Sequence, residues 1–346
     1  MLFIIFADRF FRTLNNAAGT SFTETLAKQF NHPEWFGSTF YDIIMPLFLF
    51  VVGAVIPFSL SKRMQENASK STLYLKLLKR FVLLFILGWI VQGNLLKFDS
   101  EQFRIFSNTL QAIAVGYFFS CISYIHLTKK WRYFVFVSCL ISYALLLSVT
   151  NVPGLGQSEL LPDQNLALYI DRFVFGKFDD GTQYTWLLSG FGFTATTLSG
   201  IFAGELIKSK HPRKKVAMYL MIYGIIGLTI GLIWGIWHPI VKKIWTSSFV
   251  LASSGICYLL LAFFYWVIDV KGKIKWAFPL KVIGSNAITA YVLSHVFNFP
   301  KIANYLLFGL EKYLGAYYEV INTIGGFGLL YLLLWYMHKN NTFIKI

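Results

Sequence analysis

Charged side chains are scarce in this sequence. Of its 346 residues, only 14% are Asp, Glu, Lys or Arg, whereas 56% are hydrophobic. A soluble domain carries about 25% charged residues, so this chain has too few of them to cover a water-facing surface. The formal net charge of +15 does not indicate nucleic-acid binding. Its basic residues lie in short clusters between apolar blocks, as the orientation signals of membrane proteins do.

Cysteine is also rare. Cys121, Cys139 and Cys257 each lie inside an apolar block. An odd number of cysteines without metal-type spacing predicts neither a disulfide framework nor a metal site. We therefore expect three small buried apolar side chains and no metal cofactor.

The long apolar blocks predict an all-α fold, a polytopic membrane helix bundle of about ten transmembrane helices. The stretch 301–314 is too short and too charged to span a bilayer, and it is typical of an interfacial helix. The whole chain, 1–346, is expected to form a single transmembrane domain. The expected spans are 1–14, 38–60, 80–97, 109–127, 131–149, 186–208, 216–237, 244–268, 280–298 and 318–337.

Lys and Arg are unevenly distributed over the connections between spans. Alternate connections are richer in them, and such connections face the cytoplasm, which predicts that both termini are cytoplasmic. The poorer set includes two long outer loops, 15–37 and 150–185. We expect a multi-pass protein of a bacterial cytoplasmic membrane. Asp8 lies only about 10 Å of helix from Met1, so the first helix is expected to be truncated at its start.

Ionisable side chains inside spans are costly and are functional candidates by default. Asp8 and Asp42 fall near the outer ends of the first two spans. Asp42 precedes Pro46 by four residues, so it either has a functional role or satisfies backbone groups freed by a kink. Asp8 either acts in a site or pairs with a nearby arginine. His32, in the outer loop, precedes the Asp42 span by only a few residues.

Other polar side chains lie within spans or at their outer ends. Taken singly, each is either a site residue or a group that hydrogen-bonds between helices. Glu205 is expected to pair with Lys208. The remaining candidates are Arg104, Asn108, Gln111, Lys243, Trp245, Thr246, Asn286 and His295.

The block 30–63, FNHPEWFGSTFYDIIMPLFLFVVGAVIPFSLSKR, resembles the heparan-α-glucosaminide N-acetyltransferase family and its bacterial transmembrane relatives. The resemblance continues in the same order through RIFSNTLQAIAVGY (104–117), Gly200–Gly204, KKIWTSSF (242–249), Asp269 and IGSNAITAY (283–291). Its first block contains His32, Trp35, Gly37, Asp42, Pro46, Phe48, Phe50 and Gly53.

The resemblance implies a transmembrane acyltransferase domain that takes acetyl from cytoplasmic acetyl-CoA and delivers it to a glucosamine-type amine on the outer side. His32 occupies the catalytic position, with Asp42 and Asp8 as its expected catalytic partners. The expected substrate-binding residues are Trp35, Lys243, Trp245, Thr246 and His295. The expected acetyl-CoA-binding residues are Asn286, Gln111, Arg80 and Arg104.

The chain departs from the family pattern at several points. An Asp-x-x-Arg-Gly-type stretch before the first span is absent, Asp8 stands where some relatives have an amide, and Ala112 stands where many have Arg. The extra luminal region of lysosomal members is also absent, so a heparan substrate is not implied.

The chemistry of acetyl transfer leaves two routes open for His32. An imidazole can take the amine proton near neutral pH, or it can carry the acetyl group as an acyl-imidazole. Lys62, Arg63, Arg80 and the cluster 208–215 suit coenzyme A phosphates, although such residues also set topology. The expected partners are an amino-sugar acceptor and membrane lipid, with a homodimer as one allowed assembly. The alternatives are an amino-sugar or oligosaccharide transporter and an O-acetyltransferase of envelope polysaccharide.

Overall fold

The computed structural model describes residues 1–65, 70–93, 95–96 and 98–344, and within this part of the chain the fold is nearly all α-helical. The α-helices are α1 (Asp8–Ala18), α2 (Ser21–Gln29), α3 (Ile44–Gln65), α4 (Lys70–Val91), α5 (Thr109–His126), α6 (Lys129–Val149), α7 (Leu166–Phe175), α8 (Gly190–Lys208), α9 (Arg213–Trp234), α10 (Ser247–Tyr265), α11 (Phe278–Ser285), α12 (Ala287–Val296), α13 (Phe299–Leu307), α14 (Glu311–Leu314) and α15 (Tyr318–Lys339). Short π-helical segments lie at Phe3–Ala7 and Trp266–Val270, and 3₁₀ turns at Phe40–Ile43, Gly176–Phe178, Lys275–Ala277, Phe308–Leu310 and Gly315–Tyr317. A two-stranded antiparallel hairpin pairs β1 (Asn151–Val152) with β2 (Gly156–Gln157).

The all-α prediction is confirmed. In the described residues, five helical stretches are long and apolar enough to cross a bilayer: Phe40–Ser61, Lys129–Val149, Arg213–Trp234, Ser247–Val270 and Phe299–Lys339. The count of about ten spans and the cytoplasmic placement of the termini remain predictions. All three cysteines are free, with Cys121 and Cys257 buried and Cys139 half-buried.

Helices α5 and α8 are not among these five stretches, because both contain buried polar side chains that lower their mean hydropathy. Gln111 and Ser120 of α5, and Thr196 and Thr197 of α8, have no exposed surface. Ser120 Oγ donates a hydrogen bond to the Thr194 carbonyl across the pair. A helix that faces protein on most sides tolerates such residues, because its neighbours satisfy their hydrogen bonds.

Two predicted segments have internal structure that the sequence pattern did not indicate. The predicted span 280–298 is broken into α11 and α12 at Asn286, whose backbone (φ −127°, ψ 42°) is not helical. The predicted outer loop 15–37 contains the end of α1 and all of α2. Helix α2 forms there because Thr20 and Thr23 make a reciprocal capping box at its start.

The chain separates into two compact units. The first contains residues 1–33, 39–44 and 273–346, and the second contains 34–38 and 45–272. In the first unit, Val282, Ile283, Ala290, Leu330 and Leu334 form a buried apolar cluster. In the second, one buried cluster surrounds Tyr143 and Leu147, and another surrounds Ile56 and Leu198.

Helices α3 and α8 of the second unit cross at glycines. A Cβ on Gly53 would lie 2.0 Å from the Thr197 carbonyl oxygen, and one on Gly200 would lie 2.0 Å from the Phe50 carbonyl oxygen. A Cβ on Gly204 would likewise lie 2.1 Å from the Ala54 carbonyl oxygen. The two backbones are therefore in direct contact, as in small-residue crossings of membrane helices.

Gly200→Ala is expected to force α3 and α8 apart and lower stability by about 1–3 kcal/mol, the usual cost of overpacking. Thermal unfolding in detergent measures this loss. Gly190→Ala on the same helix is the matched control, because its Cβ would meet only Val115 Cγ1 at 3.5 Å. Equal stabilities for the two variants would contradict the close crossing.

Candidate functional site

His32 lies just after α2, in a segment fixed by aromatic packing. The ring of Phe30 contacts those of Phe11, at 4.6 Å between centroids, and Phe40, at 5.8 Å. Phe30 is buried, and the Asn31 carbonyl accepts a hydrogen bond from Thr39 Oγ1 at 2.8 Å. Both sides of the turn that presents His32 are therefore anchored.

His32 and Asp42 form the closest polar contact of the first unit's candidate site. His32 Nδ1 lies 2.6 Å from Asp42 Oδ1. The Asp42 side chain is completely buried, whereas 38% of the His32 side chain is exposed. A carboxylate only accepts hydrogen bonds, so Nδ1 bears the proton and Nε2 is the basic ring atom.

Thr39 holds the second oxygen of Asp42. Asp42 Oδ2 accepts the Thr39 backbone N–H at 2.9 Å and lies 3.2 Å from Thr39 Oγ1. A buried carboxylate is stable only when its oxygens have donors. Sequence reasoning missed Thr39, although the spacing Thr39-x-x-Asp42 is a capping-box pattern that would have indicated it.

Asp8 belongs to the same unit. Arg12 donates to Asp8 Oδ2 at 2.9 Å, which agrees with the alternative of a nearby arginine partner. Tyr41 interacts electrostatically with Asp8, and its ring centroid lies 5.1 Å from that of His32. Tyr41 therefore lies near both Asp8 and the histidine.

His295 lines a pocket of about 330 Å³ within the first unit, together with Arg9, Asn298, Thr323 and Phe327. His295 Nδ1 lies 2.8 Å from the Tyr291 carbonyl oxygen. This contact fixes the orientation of the ring.

Asn286, a predicted acetyl-CoA-binding residue, is buried at the break between α11 and α12. Its Nδ2 donates to the Thr342 carbonyl at 3.2 Å, and its Oδ1 accepts the Ile344 N–H at 3.3 Å. Both polar atoms of the amide therefore hydrogen-bond to the main chain that follows α15.

In the second unit, Trp35 and Lys243 lie together. The Trp35 indole N–H donates to the Leu160 carbonyl at 2.8 Å, and the ring is buried. Lys243 Nζ lies 5.5 Å from the centre of that ring and donates to Gln183 Oε1 at 3.0 Å. The neighbouring Gly37 N–H donates to the Ile240 carbonyl, so segment 34–38 docks on the strand-like stretch before Lys243.

Trp245 and Thr246 are fully enclosed. Trp245 has a left-handed backbone, with φ of 49°, and its indole N–H donates to Thr196 Oγ1 at 3.2 Å. Thr246 Oγ1 accepts the Val241 N–H at 3.0 Å. These two residues shape the turn that enters α10 and thereby position Lys243.

The side chains of Gln111 and Arg104 hydrogen-bond to main-chain groups. Gln111 Oε1 accepts the Ser107 N–H at 2.9 Å, and its Nε2 donates to the Ile105 carbonyl at 3.0 Å. Arg104 donates to the Glu101 and Lys177 carbonyls. Their hydrogen bonds brace the segment before α5.

Among the predicted basic residues, Arg80 has an unused donor. Its guanidinium lies 4.1 Å from the centre of the Tyr117 ring, and its buried Nε has no partner among the described residues. The side chains of Lys62 and Arg63 lie outside the described residues. The predicted Glu205–Lys208 pair was wrong, because Glu205 pairs with Arg132, while Lys208 donates to the Pro57 carbonyl.

Asp171, in the predicted outer loop 150–185, is a further buried acid that sequence reasoning missed. Its two oxygens accept the N–H groups of Trp186 at 2.6 Å and Leu187 at 3.1 Å, just before α8. Asp180 accepts the Trp186 indole N–H at 2.8 Å. Burial nevertheless raises the pKa of Asp171 to about 7, despite the opposing effect of the two backbone donors.

This pKa predicts a pH dependence of stability. The folded protein favours protonated Asp171, so its stabilising contribution is complete below the unfolded pKa of about 3.9 and is lost as pH rises through about 7. The melting temperature is expected to fall between about pH 4 and 7 and to level off above that range, and Asp171→Asn is expected to reduce this fall. Asp163→Asn is the control, since Asp163 is exposed and Arg172 lowers its pKa. An unchanged slope in Asp171→Asn would refute the assignment.

In the described part of the chain, no group of three His, Cys, Asp or Glu side chains is placed to hold a metal ion. The structure brings His32, Asp42 and Asp8 together in one unit, and Trp35 with Lys243 in the other. The roles assigned to these residues remain predictions.

The fold and its apolar helices define the class of multi-pass helical membrane proteins. A domain of unknown function, DUF5009, matches residues 22–94, which include His32 and Asp42. The chain is a distant relative of heparan-α-glucosaminide N-acetyltransferase. It is 26% identical to the human protein over 333 residues, covering 78% of this chain and 49% of the relative. It is also 26% identical to the mouse protein over 326 residues, covering 76% and 48%. The chain therefore spans about half the length of the curated relatives that it matches.

Proposed function

We propose that the protein is a transmembrane N-acetyltransferase. It moves the acetyl group of cytoplasmic acetyl-CoA to the amine of a glucosamine-type sugar on the outer side of the membrane. The observation that supports this most is the buried Asp42 carboxylate fixed against Nδ1 of a partly exposed His32. The distant N-acetyltransferase relatives support the same reaction class.

In the proposed reaction, His32 acts as general base. The acceptor nitrogen attacks the thioester carbonyl carbon while His32 Nε2 takes a proton from it. The carbon–sulfur bond breaks, coenzyme A leaves as its thiolate, and the proton passes from His32 to the thiolate or to water. Asp42 stabilises the imidazolium that forms, as a buried carboxylate does in other His–Asp pairs.

A second route forms an acetyl-imidazole on His32 before the amine attacks. We favour direct transfer, because it needs one step fewer. Acid quenching during turnover separates the routes, because only the second leaves an acetylated His32 peptide for mass spectrometry.

Reconstituted liposomes test the function. Labelled acetyl-CoA is placed on the side that residues 208–215 face, and glucosamine on the other. The expected product is labelled N-acetylglucosamine on the glucosamine side, absent from protein-free liposomes. Counterflow of intact glucosamine without acetylation would overturn the proposal in favour of transport. Acetylation of an N-blocked sugar alone would favour O-acetyl transfer.

A further inference from the structure

Helices α9 and α10 touch closely in one half of their length. A Cβ on Gly231 would lie 2.3 Å from the Ala252 nitrogen, and one on Gly255 would lie 2.3 Å from the Leu228 nitrogen. No glycine precedes Gly224 in α9, and none follows Gly255 in α10. The remaining halves, at the start of α9 and the end of α10, have side chains at every position, among them Ala217, Leu259 and Ala262.

An apolar groove of about 430 Å³ lies between these halves of the two helices. We call it the α9–α10 groove. Met218, Met221, Phe263 and Trp266 are exposed along it. Methionine side chains adapt to ligands of irregular shape, and both helices belong to candidate membrane spans. The groove is lined by Lys214, Met218, Met221, Leu259, Phe263 and Trp266.

Positive charge surrounds one end of the groove. Lys214 lines it directly, and Lys271 Nζ lies 5.3 Å from the centre of the Trp266 ring. Arg213 donates to the Asp269 carbonyl at 3.1 Å, which ties the start of α9 to the π-helical end of α10. Asp269 is the acidic residue of this end, against Arg213, Lys214, Lys215 and Lys271, so the excess charge is positive.

We propose that the α9–α10 groove is a binding site for one anionic phospholipid. An acyl chain lies between Met221 and Phe263, and the headgroup phosphate lies against Lys214 and Lys271. The basic end is the one that the positive-inside rule assigns to the cytoplasmic leaflet, where anionic lipids attract such residues. The site is independent of the proposed acetyl transfer, because none of its residues belongs to the His32 site.

Native mass spectrometry tests this proposal. The detergent-purified protein receives equal amounts of phosphatidylglycerol and phosphatidylethanolamine with the same acyl chains. Wild-type protein is expected to retain phosphatidylglycerol preferentially as its first lipid. Lys214→Gln is expected to reduce that preference about fivefold, since a basic residue near an anionic headgroup contributes about 1 kcal/mol. Met221→Trp, which fills the groove, is expected to reduce retention of both lipids.

Lys130→Gln is the matched control, because Lys130 is exposed at the start of α6 and is expected to leave lipid retention unchanged. Circular dichroism and gel filtration establish that each variant is folded. The proposal is overturned if Lys214→Gln keeps the wild-type preference, or if Lys130→Gln loses as much. A dimer peak that only Met221→Trp removes would also overturn it, by assigning the groove to a second copy of the chain.

Discussion

His32→Ala is expected to abolish acetyl transfer, and Asp42→Asn to slow it by about 10²- to 10⁴-fold. The alanine variant lacks the group that accepts the proton. The asparagine variant keeps the size of the side chain and changes only its hydrogen-bonding groups, because one acceptor oxygen becomes a donor NH₂. The assay is the liposome transfer of labelled acetyl, with kcat and KM measured separately.

The expected loss in Asp42→Asn follows from the orientation that Thr39 imposes. The Thr39 backbone N–H donates to Oδ2 in the native site, so the carbonyl oxygen of an asparagine would turn toward it. The amide NH₂ would then face His32 Nδ1, which must become an acceptor. The ring proton moves to Nε2, and the basic lone pair is removed from the atom that needs it.

Thr39→Val provides the matched control. It removes the hydroxyl at 3.2 Å from Asp42, together with its hydrogen bond to the Asn31 carbonyl, but keeps the backbone donor at 2.9 Å. Its effect on kcat is expected to be less than tenfold, because the carboxylate still orients the imidazole. If Asp42→Asn retains more than half of the wild-type kcat while remaining folded, Asp42 does not determine which ring nitrogen of His32 bears the proton.

The sequence predicted the helical fold because apolar runs of membrane length have few alternatives. It also placed His32 close to Asp42, since the two are only ten residues apart and a family resemblance covers both. The internal anchor Thr39 is equally local, and its capping-box spacing was readable. These features depend on contacts between residues near one another in the chain.

The features that were missed depend on contacts between distant residues. Asn286 binds the main chain at Thr342 and Ile344, more than fifty residues away, at the point where the helix is interrupted. Trp35 donates to the Leu160 carbonyl, which no local pattern indicates. Asp171 likewise receives donors that only the fold brings to it. Periodicity and composition do not encode such pairings, so the partners of buried polar side chains required the structure.

Glu205 is the clearest example of a buried polar side chain with a distant partner, and its pairing leads to a prediction about stability. Arg132 of α6 pairs with Glu205 of α8, donates to the Leu127 carbonyl at 2.7 Å, and lies 4.7 Å from the centre of the Tyr124 ring. Arg132 is 7% exposed. Removal of either partner leaves the other charge buried without compensation, so Glu205→Leu or Arg132→Met is expected to cost about 3–5 kcal/mol.

The double variant Arg132→Met, Glu205→Leu is expected to recover most of that loss, because apolar side chains of similar size remove both desolvation penalties at once. Thermal and urea unfolding in detergent measure all four proteins of the cycle, with Lys129→Met as a control for loss of one charge at the start of α6. A double variant whose loss equals the sum of the single losses would mean that the two residues act independently. A near-neutral double variant would instead mean that the pair contributes little net stability and that its main effect is to select the α6–α8 register, since any other register would bury one of the two charges alone.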